Sequence, residues 1–151
     1  MPVFHSKPGA ARVIYLDYDG HATPSTSAWG SLSAAAFDID SNPSAFGPSE
    51  VEVITTSWGR VAEDFAPFDV DVTTEEPNPY TSTVLRVVIT LSRQTNLAYM
   101  PFGATAGGVA FLGALYTEPC WVYYDNLQNR NGRGPTRAGA GHGRSVHCSP
   151  P

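Results

Sequence analysis

Cysteine is scarce in these 151 residues: Cys120 and Cys148 are the only two, too few for a disulfide framework to replace a hydrophobic core. Lysine is rarer, with Lys7 alone. No apolar run approaches the ~20 residues that a helix needs to cross a bilayer, so no membrane span is expected. The opening MPVFHSKPGA has no apolar stretch of the kind a secretory signal carries. Acidic residues stop at Asp125: up to that point 14 Asp and Glu stand against five Lys and Arg, net −9, while the last 26 residues hold four Arg and no acid. A basic tail without lysine or interleaved aromatics lacks the composition of a nucleic-acid arm, and no nucleic-acid partner is expected.

What is present suits one ordinary domain. The chain is 42% hydrophobic and 11% aromatic, enough for a core at this length. Residues 1–11 form an extended lead-in with the turn chemistry SKPGA. RVIYLDY, Arg12–Tyr18, is β-branched and aromatic and predicts a buried strand. The polar stretch from His21 to Ser49 predicts an ordered surface loop with one or two short strands, since Trp29, Phe37 and Phe46 need packing partners. Ser49 with Glu52 fits a capping box, and Val51, Ile54, Thr55, Trp58, Val61, Ala62 and Phe65 recur at helical spacing up to the stop at Pro67. Gly59 inside this helix costs about 1 kcal/mol relative to Ala. Strands are expected at Phe68–Thr73, Val84–Leu91, Val109–Tyr116 and Trp121–Tyr124. The fold class is therefore α/β, a twisted mixed sheet of about five strands with one packed helix over residues 12–125. From Asn126 the periodicity is lost, and residues 126–151 form an irregular Gly/Arg/Pro-rich tail.

Four clusters could carry chemistry. Asp17 and Asp19 close the first strand as D-x-D-G, which resembles the opening motif of the haloacid-dehalogenase phosphatases: the first Asp would be the nucleophile and the second the general acid, both helping to hold magnesium. Thr90 or Ser92, Arg93 and Asp125 would supply the remaining parts. Two turn aspartates capping loop N–H groups are the alternative. Asp38, Asp40 and Asn42 open like a calcium loop, but Pro43 stands where an EF-hand needs Gly and Ser49 where it needs Glu, leaving a looser calcium site or an Asx turn. Asp69 and Asp71 alternate with apolar residues, as on a solvated strand face, and Glu75 and Glu76 sit in a turn beside Pro77. His142 and His147 are candidate metal ligands. Their spacing of five puts them roughly 140° apart on a helix, whereas a zinc helix wants i and i+4.

SKPGAARVIYLDYDGHAT, SWGRVAEDFAPFDVDVTTEEP, AGGVAFLGALY and VYYDNL together resemble the secreted bacterial zinc metallopeptidases of the metzincin type, RVAEDFAPFDVDVTTEEP being the most specific segment. The resemblance covers about four-fifths of the chain. It implies a mixed sheet with one helix against it, followed by a second helix bearing HExxHxxGxxH. In that motif three His bind zinc and the Glu activates the metal-bound water to attack a peptide carbonyl. It also implies a peptide or protein substrate and an extracellular setting. HExxH occurs nowhere in the 151 residues. The expectation is thus a truncated or inactive relative, metzincin-like and incomplete at its C-terminus, which binds no zinc as written, with no catalytic residue to assign. A frameshift near codon 126 would explain the tail, a genuine non-catalytic relative being the other account. With no second helix, apolar surface is expected to be left open around Trp58 and VVITL. A magnesium-dependent phosphatase using Asp17 and Asp19, or a non-catalytic binding module, are the alternative functions.

Overall fold

The computed structural model describes residues 1–112 and 117–127. Among these residues seven strands and one helix follow in the order β1 (Arg12–Asp17), β2 (His21–Thr23), β3 (Leu32–Ala34), α1 (Pro48–Phe65), β4 (Val70–Thr73), β5 (Val84–Thr90), β6 (Gly108–Val109) and β7 (Cys120–Tyr123). Five of them make one sheet in the order β4-β1-β5-β7-β6, while β2 and β3 form a separate hairpin. β1 is parallel to β4 and β5, and β5 is parallel to β7; only β6 runs antiparallel, against β7. The chain leaves β1 for one side through α1 and returns to the other side at β5. The carboxyl ends of β1 and β5 thus flank a point where strand order reverses, the usual place for a site in a parallel sheet.

Strand alternation gives the sheet two different faces. Ile14, Leu16, Val70, Val72, Leu85 and Cys120 point to one side, where Ile54 of α1 is completely buried among them. Val88, Trp121 and Tyr123 point to the other, under Leu32 and Ala34 of the hairpin. α1 is held down by more than apolar burial: the Trp58 indole N–H donates to the Val72 carbonyl at 2.8 Å. The helix begins earlier than Ser49 and Glu52 predict. Gly47 is the cap, Pro48 takes the first helical position, where its missing N–H costs nothing, and Glu50 accepts from the Gly47 N–H at 2.8 Å.

Three further expectations are corrected. Strand β6 is only Gly108–Val109. Residues 110–112 do not extend it, and the rest of the expected Val109–Tyr116 strand, residues 113–116, lies outside the described residues. Asp71 is not on a solvated face: it is buried because its strand lies beneath residues 5–7, whose polar groups it satisfies. Trp58 and the VVITL strand are only partly open: Phe4 stacks on Trp58 at 4.8 Å and Val88 and Thr90 are fully buried, while Trp58, Val87 and Ile89 stay partly exposed. The lead-in is therefore part of the folded body.

Two substitutions test this packing. A Cβ at Gly59 meets nothing within 4 Å, so Gly59→Ala is expected to raise stability by ~0.5–1 kcal/mol. Ile54→Ala, which empties the fully buried centre of the helix face, should cost ~2–5 kcal/mol. Urea unfolding at neutral pH measures both.

Candidate functional site

The polar residues of the second face converge at the carboxyl end of β1. β5 is nearly all apolar, VLRVVIT, and Arg86 is its single charge. Opposite Tyr15 in the β1–β5 register, its guanidinium is carried to the adjacent Asp17. One nitrogen, Nη1, donates to Asp17 Oδ2 at 2.9 Å and to His21 Nδ1 at 2.6 Å; the other, Nη2, donates to Glu76 Oε1 at 2.5 Å. Because guanidinium only donates, His21 Nδ1 is the unprotonated nitrogen. The Tyr15 and Tyr80 rings lie 5.3 and 4.9 Å from the guanidinium carbon, within cation–π range. Arg86 thus ties together β1, β5, the hairpin that starts at His21, and the loop after β4.

Gly20 makes the turn possible. Its φ is +90°, and a Cβ there would lie 2.8 Å from the Ala34 carbonyl oxygen and 2.9 Å from the Ala36 nitrogen. The D-x-D-G run therefore carries a steric requirement, a left-handed residue with no side chain.

Burial, and after it the neighbouring Asp19 carboxyl, push Asp17 up to about 8 against the pull of Arg86. Burial, with the Arg86 charge second, holds His21 down to about 4. Asp17 is 1% exposed and one of its oxygens, Oδ1, has no hydrogen-bond partner, while Asp19 stands in solvent. A nucleophilic carboxylate needs an open approach and an ionised oxygen, whereas Asp17 is covered and clamped. The residues that would complete phosphatase chemistry are also engaged elsewhere. Thr90 donates to the Ala35 carbonyl at 2.8 Å, Ser92 donates through N–H and hydroxyl to Asp125 at 2.8 and 2.7 Å, and Arg93 lies over the Tyr99 ring.

Asp38, Asp40 and Glu50 each bring a carboxylate oxygen within 4.8 Å of the others. Glu50 replaces the expected Asn42, whose side chain accepts from Ser44 instead. An all-carboxylate set suits a hard cation such as calcium or magnesium, but these oxygens already serve the backbone. Glu50 accepts from the N–H groups of Ile39 and Gly47 at 2.9 and 2.8 Å. Asp38 Oδ1 accepts from Asp40, Ser41 and Asn42, which is the Asx-turn alternative realised.

The donor set of a catalytic zinc does not fit the described residues. Their two histidines are His5, at the outer edge of β4 between Asp71 and Glu75, and His21, taken up by Arg86. His142 and His147 lie outside the described residues. The sequence alone puts His5 and His21 merely in loops and does not mark Arg86 as a site residue. The signal is nonetheless there: a lone arginine inside an apolar strand needs a buried acid.

The proton balance of this cluster predicts the pH dependence of stability. From pH 4 to 6.5 the folded state keeps a proton on Asp17 that the unfolded chain has lost and lacks one on His21 that the unfolded chain carries, so the two contributions oppose. Above 6.5 His21 is silent. Asp17, together with His5, which its two carboxylates hold above its ordinary value, binds protons better when folded. Stability is therefore expected to fall between pH 6.5 and 8, by ~2 kcal/mol for Asp17, and Asp17→Asn to make the decline shallower. Urea titrations at half-unit pH steps measure this, and a flat profile contradicts it.

Comparison with protein-family models, with curated proteins and with solved structures finds no match for this chain.

Proposed function

We propose that the chain is a catalytically silent relative of the metzincin-type zinc metallopeptidases, keeping the sheet-and-helix body and lacking the zinc helix. The observation that carries this reading is where RVAEDFAPFDVDVTTEEP falls. It spans the last six residues of α1, the bend at Ala66–Phe68, all of β4 and the turn that follows. The polar side chains of its strand part serve the backbone. Asp69 accepts from Ala11 N–H at 3.2 Å, Asp71 from Ser6 and Lys7 N–H at 2.9 Å each, and Thr73 from Glu75 N–H at 2.9 Å. These pairings tie the lead-in to β4, so the segment that most resembles the family is also one that organises this edge of the sheet.

A five-stranded mixed sheet with one helix against it agrees with what the resemblance implies. The peptidase step does not follow from it: HExxH is absent from the sequence, and the histidines of the described residues are committed to carboxylates and an arginine. The reading includes an out-of-frame origin for the tail from residue 126 and an extracellular setting with peptide substrates for family members that keep the zinc helix. The phosphatase alternative has the placement of D-x-D-G at the strand-order reversal behind it, but Asp17 is buried against Arg86.

Two measurements test this reading. The purified chain with added zinc is expected to show no chelator-sensitive cleavage of an unstructured protein such as casein; tight stoichiometric zinc with cleavage abolished by a chelator overturns the proposal. One of the two other forward frames past codon 126 is expected to encode an HExxH-like stretch, and its absence from both overturns the frameshift account.

A further inference from the structure

β4 is the last strand on its side of the sheet, yet its outer edge is not open. Residues 2–7 lie along it antiparallel, with His5 opposite Thr73. The pairing is dense: Ser6 N–H donates to the Val72 carbonyl at 3.1 Å and Thr74 N–H to the Phe4 carbonyl at 3.2 Å. Side chains complete it. The Val72 N–H donates to the Ser6 hydroxyl at 2.8 Å, Phe4 N–H to the Thr74 hydroxyl at 2.9 Å, and that hydroxyl to the Pro2 carbonyl at 2.8 Å. Alternate residues point opposite ways, as a strand demands: Phe4 stacks on Trp58 of α1, and His5 turns toward two acids.

Those acids make the arrangement conditional. His5 Nδ1 lies 2.7 Å from Asp71 Oδ2 and Nε2 lies 2.9 Å from Glu75 Oε2. Carboxylates only accept, so both pairings are hydrogen bonds only while the ring carries two protons. The neutral ring keeps one N–H and presents a lone pair to the other carboxylate. The remaining charged partners nearby are Lys7 and Asp69, paired with each other at 2.8 Å.

We propose that the outer edge of β4 is a strand-accepting site filled in cis by residues 2–7, and that the imidazolium of His5 is the latch that keeps it filled. Below the His5 midpoint the strap is closed. Above it the repelled carboxylate weakens the strap, and the edge, with its free N–H and C=O groups, becomes available for pairing. The latch is independent of the proposed peptidase ancestry, because it uses only residues 2–7, Trp58 and the β4 edge.

Amide hydrogen exchange on the full chain, read by NMR from pH 5.5 to 8.5 and corrected for intrinsic rates, tests it. The His5 ring protons report the midpoint, and the Leu16 amide at the sheet centre reports global opening. Protection at Val72 and Thr74 is expected to fall at least tenfold more than at Leu16 across that midpoint, with a concerted shift of the Trp58 indole N–H signal. Glu75→Gln, at an exposed position, should move the midpoint and the exchange transition together to lower pH. His5→Asn should leave Val72 and Thr74 poorly protected throughout. Protection at Val72 and Thr74 that tracks Leu16 at every pH, a transition that survives His5→Asn, or a midpoint that moves without the exchange following it overturns the latch.

Discussion

The structure turns on one buried pairing, the Arg86 guanidinium held against the Asp17 carboxyl. Arg86 and Asp17 meet on the face of the sheet away from α1, where the aspartate is almost wholly removed from water. Burial keeps a proton on Asp17 up to about pH 8, so the cost lies with the guanidinium, whose desolvation takes several kcal/mol unless the surroundings satisfy its donors. The surroundings do much of this. Glu76 and His21 take two more guanidinium hydrogens and two tyrosine rings lie over its carbon. Each partner comes from a different segment, so the pair fixes where the hairpin and the loop after β4 lie. With the Gly20 turn, it explains why the hairpin sits on the apolar half of this face.

Around that pair the two faces of the sheet divide the labour. The α1 face is an apolar core of Ile, Leu and Val around Ile54. The other face is apolar under the hairpin and polar toward β4, where acids outnumber bases and each acid that is buried has a defined partner. Asp71, Asp17 and Glu50 are buried carboxylates serving backbone N–H groups or an arginine. Acidic residues that suggest catalysis or metal binding in the sequence are here mostly the means by which loops without regular hydrogen bonding are held in place.

The elements that can be read from the chain are those whose own periodicity decides them. RVIYLDY and VLRVVITL are strands in the structure because long β-branched runs have few other ways to be buried, and α1 keeps its apolar stripe because its apolar residues recur on one side. What cannot be read is set by partners far away in sequence. The helix starts at Gly47 because Glu50 reaches back to it and across to Ile39, a pairing that competes with the equally good local pattern at Ser49. Asp71 alternates like a solvated residue and is buried only because residues 5–7 lie on it. β6 shrinks to two residues because its pairing with β7 ends there. Of the site residues, Asp17 is legible as a strand-end acid, whereas its partner Arg86, 69 positions away, is legible only as an anomaly in an apolar strand.

The central claim, that the Asp17 cluster is a structural clamp and not a reactive site, is tested most directly by a double-mutant cycle. Asp17→Asn, Arg86→Met and the double variant would be compared by urea unfolding at pH 9, where both groups of the pair are charged. Because either single change leaves a buried group without its partner, each is expected to cost ~3–5 kcal/mol, and the double variant to cost less than the sum by ~2 kcal/mol or more. Costs that add to within ~0.5 kcal/mol would show that the two residues do not depend on each other, and would contradict the clamp.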